Sequence, residues 1–242
     1  MKRKIALTMC ILALAVCMSC VFVGCDIFTF INGQNNEAFN DFYFTTSGEK
    51  YIITGLKSTS VQEVSIPEGV LGIGDNAFKQ NSQIATVTLK EGVAYIGAHA
   101  FEGCSRMTSI NIPSTITSIG ESAFKYCNGL TSLTLGANVV TIGAEAFANC
   151  QGLTTLTIPS KVTRLSAGTF SSCSSMVTVS LPAGVVYIGE EVFAYCTALQ
   201  TINFGGTMAQ WNAIEKVSGW KDEVTSFNVV CSDGVIESYM VY

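Results

Sequence analysis

Cysteine carries the most reactive side chain in this 242-residue chain, and it recurs at a fixed interval. Five cysteines stand 23 residues apart: Cys104, Cys127, Cys150, Cys173 and Cys196. A zinc site would need clustered ligands, such as C-x2-C pairs with partner cysteines or histidines. The wide interval of these five, in a chain with one histidine, does not indicate such a cluster. We therefore expect no metal site and no cofactor.

His99 is the one histidine and a natural candidate for acid–base chemistry. It lies two residues before Phe101. The same slot elsewhere holds Asn76, Ser122, Glu145, Gly168 and Glu191. A slot that accepts all of these residue types is typical of a solvent-facing turn. A catalytic histidine also needs an oriented nucleophile or carboxylate, and the sequence identifies none. We predict that the chain has no catalytic residue and is not an enzyme.

The elements that position these residues repeat with the same 23-residue interval. Phenylalanine marks each repeat: Phe78, Phe101, Phe124, Phe147, Phe170 and Phe193. Each of the last five is followed three residues later by one of the cysteines, whereas Asn81 takes that slot in the first repeat. A fixed period of 20–50 residues indicates supersecondary units stacked in a row. Function in such a solenoid belongs to a long repetitive surface rather than to a cleft.

Each repeat contains a short strand, a second extended piece and a tight turn. From eight to eleven residues after each Phe, polar and apolar residues alternate, which predicts a strand. Pro113, Pro159 and Pro182 end that strand. A Val-x-x-Ile piece and a glycine follow, and the Ala-Phe-x-x-Cys stretch fits a helical or 3₁₀ turn that tucks Phe inward. A single repeat buries too little to offset its ordering entropy, so coils must stack and the end coils must be capped.

The repeat resembles a known family. Residues 130–150 read LTSLTLGANVVTIGAEAFANC, and residues 153–173 read LTTLTIPSKVTRLSAGTFSSC. This pattern is similar to the BspA-like leucine-rich repeat of bacterial and protist surface proteins, over about residues 61–204. The resemblance implies a mainly β, right-handed solenoid of about six 23-residue coils, with short helical or 3₁₀ turns and a cap at each end. Departures such as Ser166 for the turn glycine and Gly136 for proline should affect local packing only.

The two flanks resemble the caps of that family. Residues 42–56 predict a hairpin with Ser47-Gly48 at its turn, within an N-terminal cap at 41–60. Residues 205–214 and 228–234 resemble the C-terminal end, within a cap at 205–242. There, we expect Trp211 and Ile214 on a short helix to cover the core of the last coil.

Stacking brings the recurring cysteines close together. Neighbouring coils should lie about 4.8 Å apart, which falls within the Cα separation that a disulfide allows. Side chains stacked in register point the same way, however, and a disulfide torsion near ±90° is then hard to reach. A buried thiol also behaves as a small hydrophobe. We therefore predict a structural ladder of thiols at the five recurring cysteines, with some disulfides as the alternative.

The outward side of the predicted strands carries two polar columns. They consist of Thr86, Thr88, Ser109, Asn111, Ser132, Thr134, Thr155, Thr157, Thr178, Ser180, Thr201 and Asn203. One interpretation is strand propensity combined with solubility. The functional interpretation is a flat ligand face for a protein or a glycan, and a third is a hydroxyl lattice that matches ice. Few aromatic or arginine side chains stand on this face, which favours weak, multivalent binding.

The N-terminal residues are typical of a targeting segment. Lys2, Arg3 and Lys4 precede an apolar run from Ile5 to Val23, and residues 22–25 (FVGC) resemble a bacterial lipobox. We predict a lipoprotein signal peptide at 1–24, lipidation of Cys25, and a flexible tether at 25–40. Ordinary secretion and an uncleaved membrane anchor are the alternatives.

The net charge and the family resemblance together limit the functions that the chain can have. Without the three basic residues of the leader, the chain has 10 basic and 18 acidic residues, a formal net charge of −8. An acidic surface repels phosphate backbones, so we expect no nucleic-acid partner. The resemblance implies a non-enzymatic protein of the bacterial cell surface, held at the membrane by its N-terminal lipid, that adheres to or binds another protein through the strand face. An envelope scaffold without an external ligand and a glycan-binding module are the alternatives, and we expect a monomer.

Overall fold

The computed structural model describes residues 39–237, and its compact repeat unit begins at Asp41. The chain enters this unit through an antiparallel hairpin of β1 (Phe42–Ser47) and β2 (Lys50–Leu56). Gly48 and Glu49 form its two-residue turn, one position later than the predicted Ser47-Gly48. Gly48 has φ +62°, a left-handed conformation that glycine adopts without the steric cost of a Cβ.

The first side of the solenoid, called the strand face below, is a row of short parallel strands. Within residues 39–237 they number eight: β3 (Glu63–Ser65), β5 (Thr86–Thr88), β7 (Ser109–Asn111), β9 (Ser132–Thr134), β11 (Thr155–Thr157), β13 (Thr178–Leu181), β15 (Thr201–Phe204) and β17 (Asn228–Cys231). Their middle residues are buried and the flanking ones point outward, as the alternating sequence predicts. These strands number the coils 1 to 8.

A second side carries still shorter strands. They are β4 (Val70–Ile73), β6 (Tyr95–Ile96), β8 (Ser118–Ile119), β10 (Thr141–Ile142), β12 (Arg164–Leu165), β14 (Tyr187–Ile188) and β16 (Glu215–Lys216). They pair in parallel, apart from one interruption described below, and β2 joins this side through β4. The Val-x-x-Ile motif thus forms a strand of about two residues, since Gly or Ser turns the chain directly after it.

The third side, called the turn side, consists of consecutive hydrogen-bonded turns rather than a helix. Alternate amides bond within the turn and to the next coil: Cys104 N donates to Phe101 O at 3.1 Å, whereas Phe101 N donates to Ala123 O at 2.8 Å. The residues two before and two after each Phe have positive φ, as at His99 (+57°) and Gly103 (+74°). Because the backbone conformation alternates in this way, every second N–H points along the solenoid axis and donates to the next coil. The turn side therefore forms a third ladder of hydrogen bonds between coils.

The array is longer than the repeat in the sequence. About eight coils lie within the described residues, where the sequence indicated about six, because the C-terminal flank adds coils 7 and 8 after the six repeats marked by Phe78 to Phe193. At the C-terminal end, Gly219 (φ +79°) and Glu223 (φ +63°) reproduce the two left-handed positions of a turn. Phe193 N donates to Trp220 O at 2.7 Å, as earlier phenylalanines do to their neighbouring coil. This coil keeps the backbone pattern of a repeat but lacks the Phe–Cys motif, so the sequence alone does not reveal it.

The core is a column of stacked rings inside the turn side. The six repeat phenylalanines are buried, and successive ring centroids lie 5.0, 5.2, 5.4, 5.8 and 5.6 Å apart with nearly parallel planes. The predicted inward position of these side chains is therefore confirmed. Leucine, isoleucine and valine from the other two sides fill the remaining interior.

A short helix follows β15. Helix α1 (Met208–Ala213) begins after Thr207, whose side chain accepts from Gln210 N while the Gln210 side chain accepts from Thr207 N. Trp211 is fully buried, with its ring edge-to-face against Phe204 at 5.5 Å. Ile214 is buried but stands just past the helix, as its C-cap residue. That the two flanks act as caps stays a prediction. The chain then forms β16 and β17, and β18 (Gly234–Ile236) closes an antiparallel hairpin with β17.

Candidate functional site: the strand face

Strand register brings the predicted polar residues into two straight columns. Thr86 pairs with Ser109 and Ser109 with Ser132, while Thr155 pairs with Thr178 and Thr178 with Thr201. The second column aligns in the same way, from Thr88 to Thr134 and from Thr157 to Asn203. Each column thus presents a hydroxyl or amide at the spacing of parallel strands, about 4.8 Å.

Exposure varies along the columns. The eight residues from Thr86 to Thr157 are exposed, whereas the last four are half-buried: Thr178, Ser180, Thr201 and Asn203. None of the twelve carries a charge. The face can therefore donate and accept hydrogen bonds over a wide, flat area without attracting ions. The eight exposed residues lie in coils 2 to 5.

The register also extends both columns beyond the residues found from the sequence. Glu63 and Ser65 pair with Thr86 and Thr88 at one end, and Asn228 and Val230 pair with Thr201 and Asn203 at the other. These four lie in coils 1 and 8, where the repeat pattern is incomplete. The sequence signal that could have found these four residues is the alternation of polar and apolar residues at 63–65 and 228–231. That alternation is too short to identify a strand on its own.

The columns are interrupted between coils 4 and 5. Strands β3, β5, β7 and β9 form one sheet and β11, β13, β15 and β17 belong to another, with no ladder between β9 and β11. A cleft of about 400 Å³ opens there, lined by Leu133, Thr134, Leu135, Ala137, Thr155, Leu156, Thr157, Pro159 and Ser160. Leu135 is half-exposed, whereas the residue at its position in coils 2, 3, 5, 6 and 7 is buried. We call this interruption the seam.

The recurring cysteines lie in the interior, far from this chemistry. All five are fully buried and free, and each Sγ lies 3.1–3.3 Å from the backbone oxygen of the Phe in the preceding coil, as Cys150 Sγ does from Phe124 O at 3.2 Å. Burial raises the pKa of Cys104 and Cys196 to about 12 and that of the other three well above 9.0. The thiols are therefore protonated at neutral pH and serve as hydrogen-bond donors. Asn81 occupies this slot in coil 1, where no repeat Phe precedes it.

His99 belongs to a small ionic cluster on the turn side. Its Nδ1 lies 2.6 Å from Glu102 Oε2, and Lys79 Nζ lies 2.9 Å from the same oxygen. Burial alone would raise the pKa of Glu102, but the hydrogen bonds from Lys79 and His99 outweigh it and lower that pKa. No serine, cysteine or threonine appears among the polar partners of this cluster. The geometry describes a structural ion pair beside a left-handed turn.

Neither a metal-ligand cluster nor a membrane-spanning helix occurs within residues 39–237. Within residues 39–237, no three His, Cys, Asp or Glu side chains converge as metal ligands would. In the same range no helix has the length and apolar character that a membrane span requires. The predicted signal peptide, the lipidation site Cys25 and nearly all of the predicted tether lie outside the described residues.

The coil geometry defines a leucine-rich repeat solenoid, and comparison with known proteins identifies its family. The model of the BspA type leucine rich repeat region, with six copies, matches residues 19–131, 54–175 and 95–215. The chain belongs to this family. Its members are typically bacterial surface proteins that bind other proteins, and they are generally non-enzymatic. No significant match was found among curated proteins.

Solved structures of similar proteins share the fold. A leucine-rich repeat protein of T. pallidum is 26% identical, with a TM-score of 0.64 over 68% of this chain and 83% of that one. A leucine-rich cell surface protein of Faecalibacterium prausnitzii is 27% identical, with a TM-score of 0.55 over 66% of this chain and 52% of that one. A third, from Bacteroides ovatus, is 18% identical with a TM-score of 0.50 over 79% and 70%, a likeness of fold alone.

Proposed function

We propose that this protein binds another protein at the bacterial cell surface through its strand face. The observation that carries the proposal is the pair of uncharged polar columns, held in register within each of the two sheets and exposed from Thr86 to Thr157. A partner that lies along this face can form hydrogen bonds to side chains of several coils at once. The typical role of the family as surface-exposed protein binders supports the same conclusion.

The composition of the face suggests how it binds. Buried aromatic and arginine anchors supply most of the energy in tight interfaces, and the twelve residues of the two columns include neither type. Each hydroxyl contact contributes about 0.5–1.5 kcal/mol net at best. We therefore expect weak single contacts that gain strength when many copies on one surface meet many on another. Adhesion between surfaces fits this mode of binding.

A pull-down with matched charge variants tests the proposal. The face variant places lysine at Ser132, Thr155 and Thr178, in coils 4 to 6 of the strand face. The control places lysine at Val140, Thr163 and Val186, which are exposed on the second side of the same coils. We expect the full-length face variant to lose a partner that the wild type and the control retain. Equal capture by both variants would contradict the strand face as the site.

Two further outcomes separate the alternative functions. Intact cells treated with protease should lose the protein if it faces outward, and protection would favour an envelope scaffold. A carbohydrate array should give no signal with the wild type. A glycan signal that the lysine face variant abolishes would reassign the same face to sugar binding.

We also propose that a lipid on Cys25 holds the protein at the membrane. The lipobox-like residues 22–25 and the surface location typical of the family support this. Cys25→Ser should abolish metabolic lipid labelling and release the protein from membranes, because acyl chains supply the attachment. Membrane retention of the variant without lipid would point to an uncleaved anchor instead.

A further inference from the structure

The seam extends across two of the three sides of the solenoid. On the strand face, Thr131 N donates to Thr108 O at 3.0 Å and Val177 N to Thr154 O at 2.8 Å. The equivalent bond from Thr154 N to Thr131 O, between coils 4 and 5, is absent from residues 131–154, all of which the structure describes. On the strand face, backbone hydrogen bonds thus join neighbouring coils on either side of the seam but not across it.

The second side is interrupted at the same level. Val140 N donates to Thr117 O and Val186 N to Thr163 O, both at 2.9 Å, but within the fully described stretch 140–163 no bond joins Thr163 N to Val140 O. Strand β10 accordingly ends one sheet and β12 begins another. The same pair of coils has therefore lost its ladder on both strand sides.

The turn side stays continuous at this level. Glu145 N donates to Ala167 O at 2.8 Å, Phe147 N to Thr169 O at 2.9 Å and Asn149 N to Ser171 O at 2.8 Å. Cys173 Sγ also reaches Phe147 O at 3.2 Å. Backbone hydrogen bonds therefore join coils 4 and 5 along the turn side only, and the rings of Phe147 and Phe170 show the widest spacing in the stack, 5.8 Å. Two side-chain hydrogen bonds also cross the seam, from Ser166 Oγ to Ile142 O at 2.9 Å and from Lys161 Nζ to Asn138 Oδ1 at 2.7 Å.

Ser166 explains the separation on the second side. Glycine occupies its position in the neighbouring coils, where a Cβ would meet the preceding coil's backbone at 2.4 Å for Gly143 and 2.9 Å for Gly189. The Cβ of Ser166 cannot fit at that spacing, so coil 5 stands away from coil 4. Gly143 N donates to Ile119 O at 2.9 Å, whereas in coil 5 the Ser166 hydroxyl, not its amide, reaches Ile142 O at 2.9 Å.

Gly136 lies at the end of β9, next to the interruption on the strand face. A Cβ at this position would lie 2.3 Å from Pro113 O and 2.9 Å from Ile112 O. Glycine thus lets coil 4 lie closely on coil 3, on the side away from coil 5. Both residues depart from the repeat, Ser166 at the junction of coils 4 and 5 and Gly136 at the junction of coils 3 and 4.

We infer that the seam is a hinge that divides the solenoid into two blocks, coils 1–4 and coils 5–8. In a repeat array each coil is held by its neighbours, so a junction that has lost two of three ladders bends most easily. The continuous turn side is the axis, and bending about it widens or narrows the cleft between β9 and β11. The two polar columns on either side of the seam change their separation with this motion.

Distance measurements between spin labels test the hinge on the full-length chain. One label pair, at Glu91 and Ser160, spans three coils across the seam. The control pair, at Glu68 and Ala137, spans three coils within the first block. All four residues are exposed at the same position of the repeat. Since the chain has ten cysteines, the labels are attached to a non-canonical ketone side chain.

We expect a broader distance distribution for the pair across the seam than for the control pair. Ser166→Gly should shorten the mean distance across the seam and narrow its distribution toward that of the control, because it restores the close approach on the second side. Ser166→Ala keeps the Cβ and should leave the distribution broad. Equal widths for the two pairs in the wild type would overturn the inference. So would a Ser166→Gly distribution as broad as that of the wild type.

Discussion

On the turn side, backbone hydrogen bonds join each pair of neighbouring coils from coil 1 to coil 7, whereas on the strand face they stop between β9 and β11. The turn side contains the buried Phe column and the thiols, and it tolerates little variation of the core residues. The strand face presents small polar side chains to solvent and accommodates a seam. The difference teaches that the turn side holds the coils together, whereas the strand face can be interrupted without ending the array.

Alkaline pH should produce the largest effect, and it acts through the turn side. The five buried thiols have pKa values above the ordinary 9.0, about 12 at Cys104 and Cys196. Above pH 9 the unfolded chain loses these protons while the folded protein keeps them. The free energy of unfolding therefore falls with rising pH up to the folded pKa, by as much as about 1.4 kcal/mol per thiol and pH unit.

Chemical denaturation between pH 7 and 11 measures this loss. Cys150→Ala removes one thiol from the titration and should make the decline shallower, although the variant starts from a lower stability at pH 7. A decline as steep in Cys150→Ala as in the wild type would show that the thiols do not cause it.

Phe147→Ala should cost about 3–5 kcal/mol of unfolding free energy, the usual range for emptying a buried aromatic site. The ring is fully buried between Phe124 at 5.4 Å and Phe170 at 5.8 Å. Thr157→Ala, exposed on the strand face of a neighbouring coil, is the matched control and should stay within about 0.5 kcal/mol. Urea denaturation of both variants decides whether the two sides differ as proposed.

Gly143→Ala should destabilise the fold by about 1–3 kcal/mol, because the new methyl overfills a packed junction. A Cβ there would lie 2.4 Å from Glu121 N and 2.6 Å from the carbonyl carbon of Gly120. Gly184→Ala is the control, since its Cβ would meet nothing closer than 3.7 Å. If thermal unfolding gave the same midpoint for both variants, close coil approach would not be the reason for glycine at position 143.

The smallest effect belongs to the strand face. Ser132→Lys and Thr155→Lys, at exposed positions, should each change the unfolding free energy by less than about 0.5 kcal/mol, as surface substitutions do. Circular dichroism during denaturation measures this directly. A larger loss would mean that the columns contribute to folding, and the lysine face variant would then need milder substitutions in the binding test.

The fold, the N-terminal hairpin and the short helix with Trp211 could be predicted from the sequence, but the last two coils and the seam could not. The strand at 155–157 and the inward Phe follow from alternation and period, which repeat in register. The last two coils were missed because the turn of coil 7 at 219–223 keeps only the backbone conformation of a repeat. Ser166 was visible as a departure, yet a single sequence does not show that two ladders are lost at the junction where it lies.

The sequence by itself determined the solenoid, since a 23-residue period of buried Phe, Leu and Ile leaves one arrangement in which every coil buries its apolar side against the next. It also determined which residues line the core and which form the two polar columns. Only the tertiary structure decided how closely each coil lies on its neighbour. That spacing depends on whether a position carries a Cβ, since a Cβ added to Gly136, Gly143 or Gly189 would lie 2.3–2.9 Å from the backbone of another coil, and such close approach arises only once the chain has stacked.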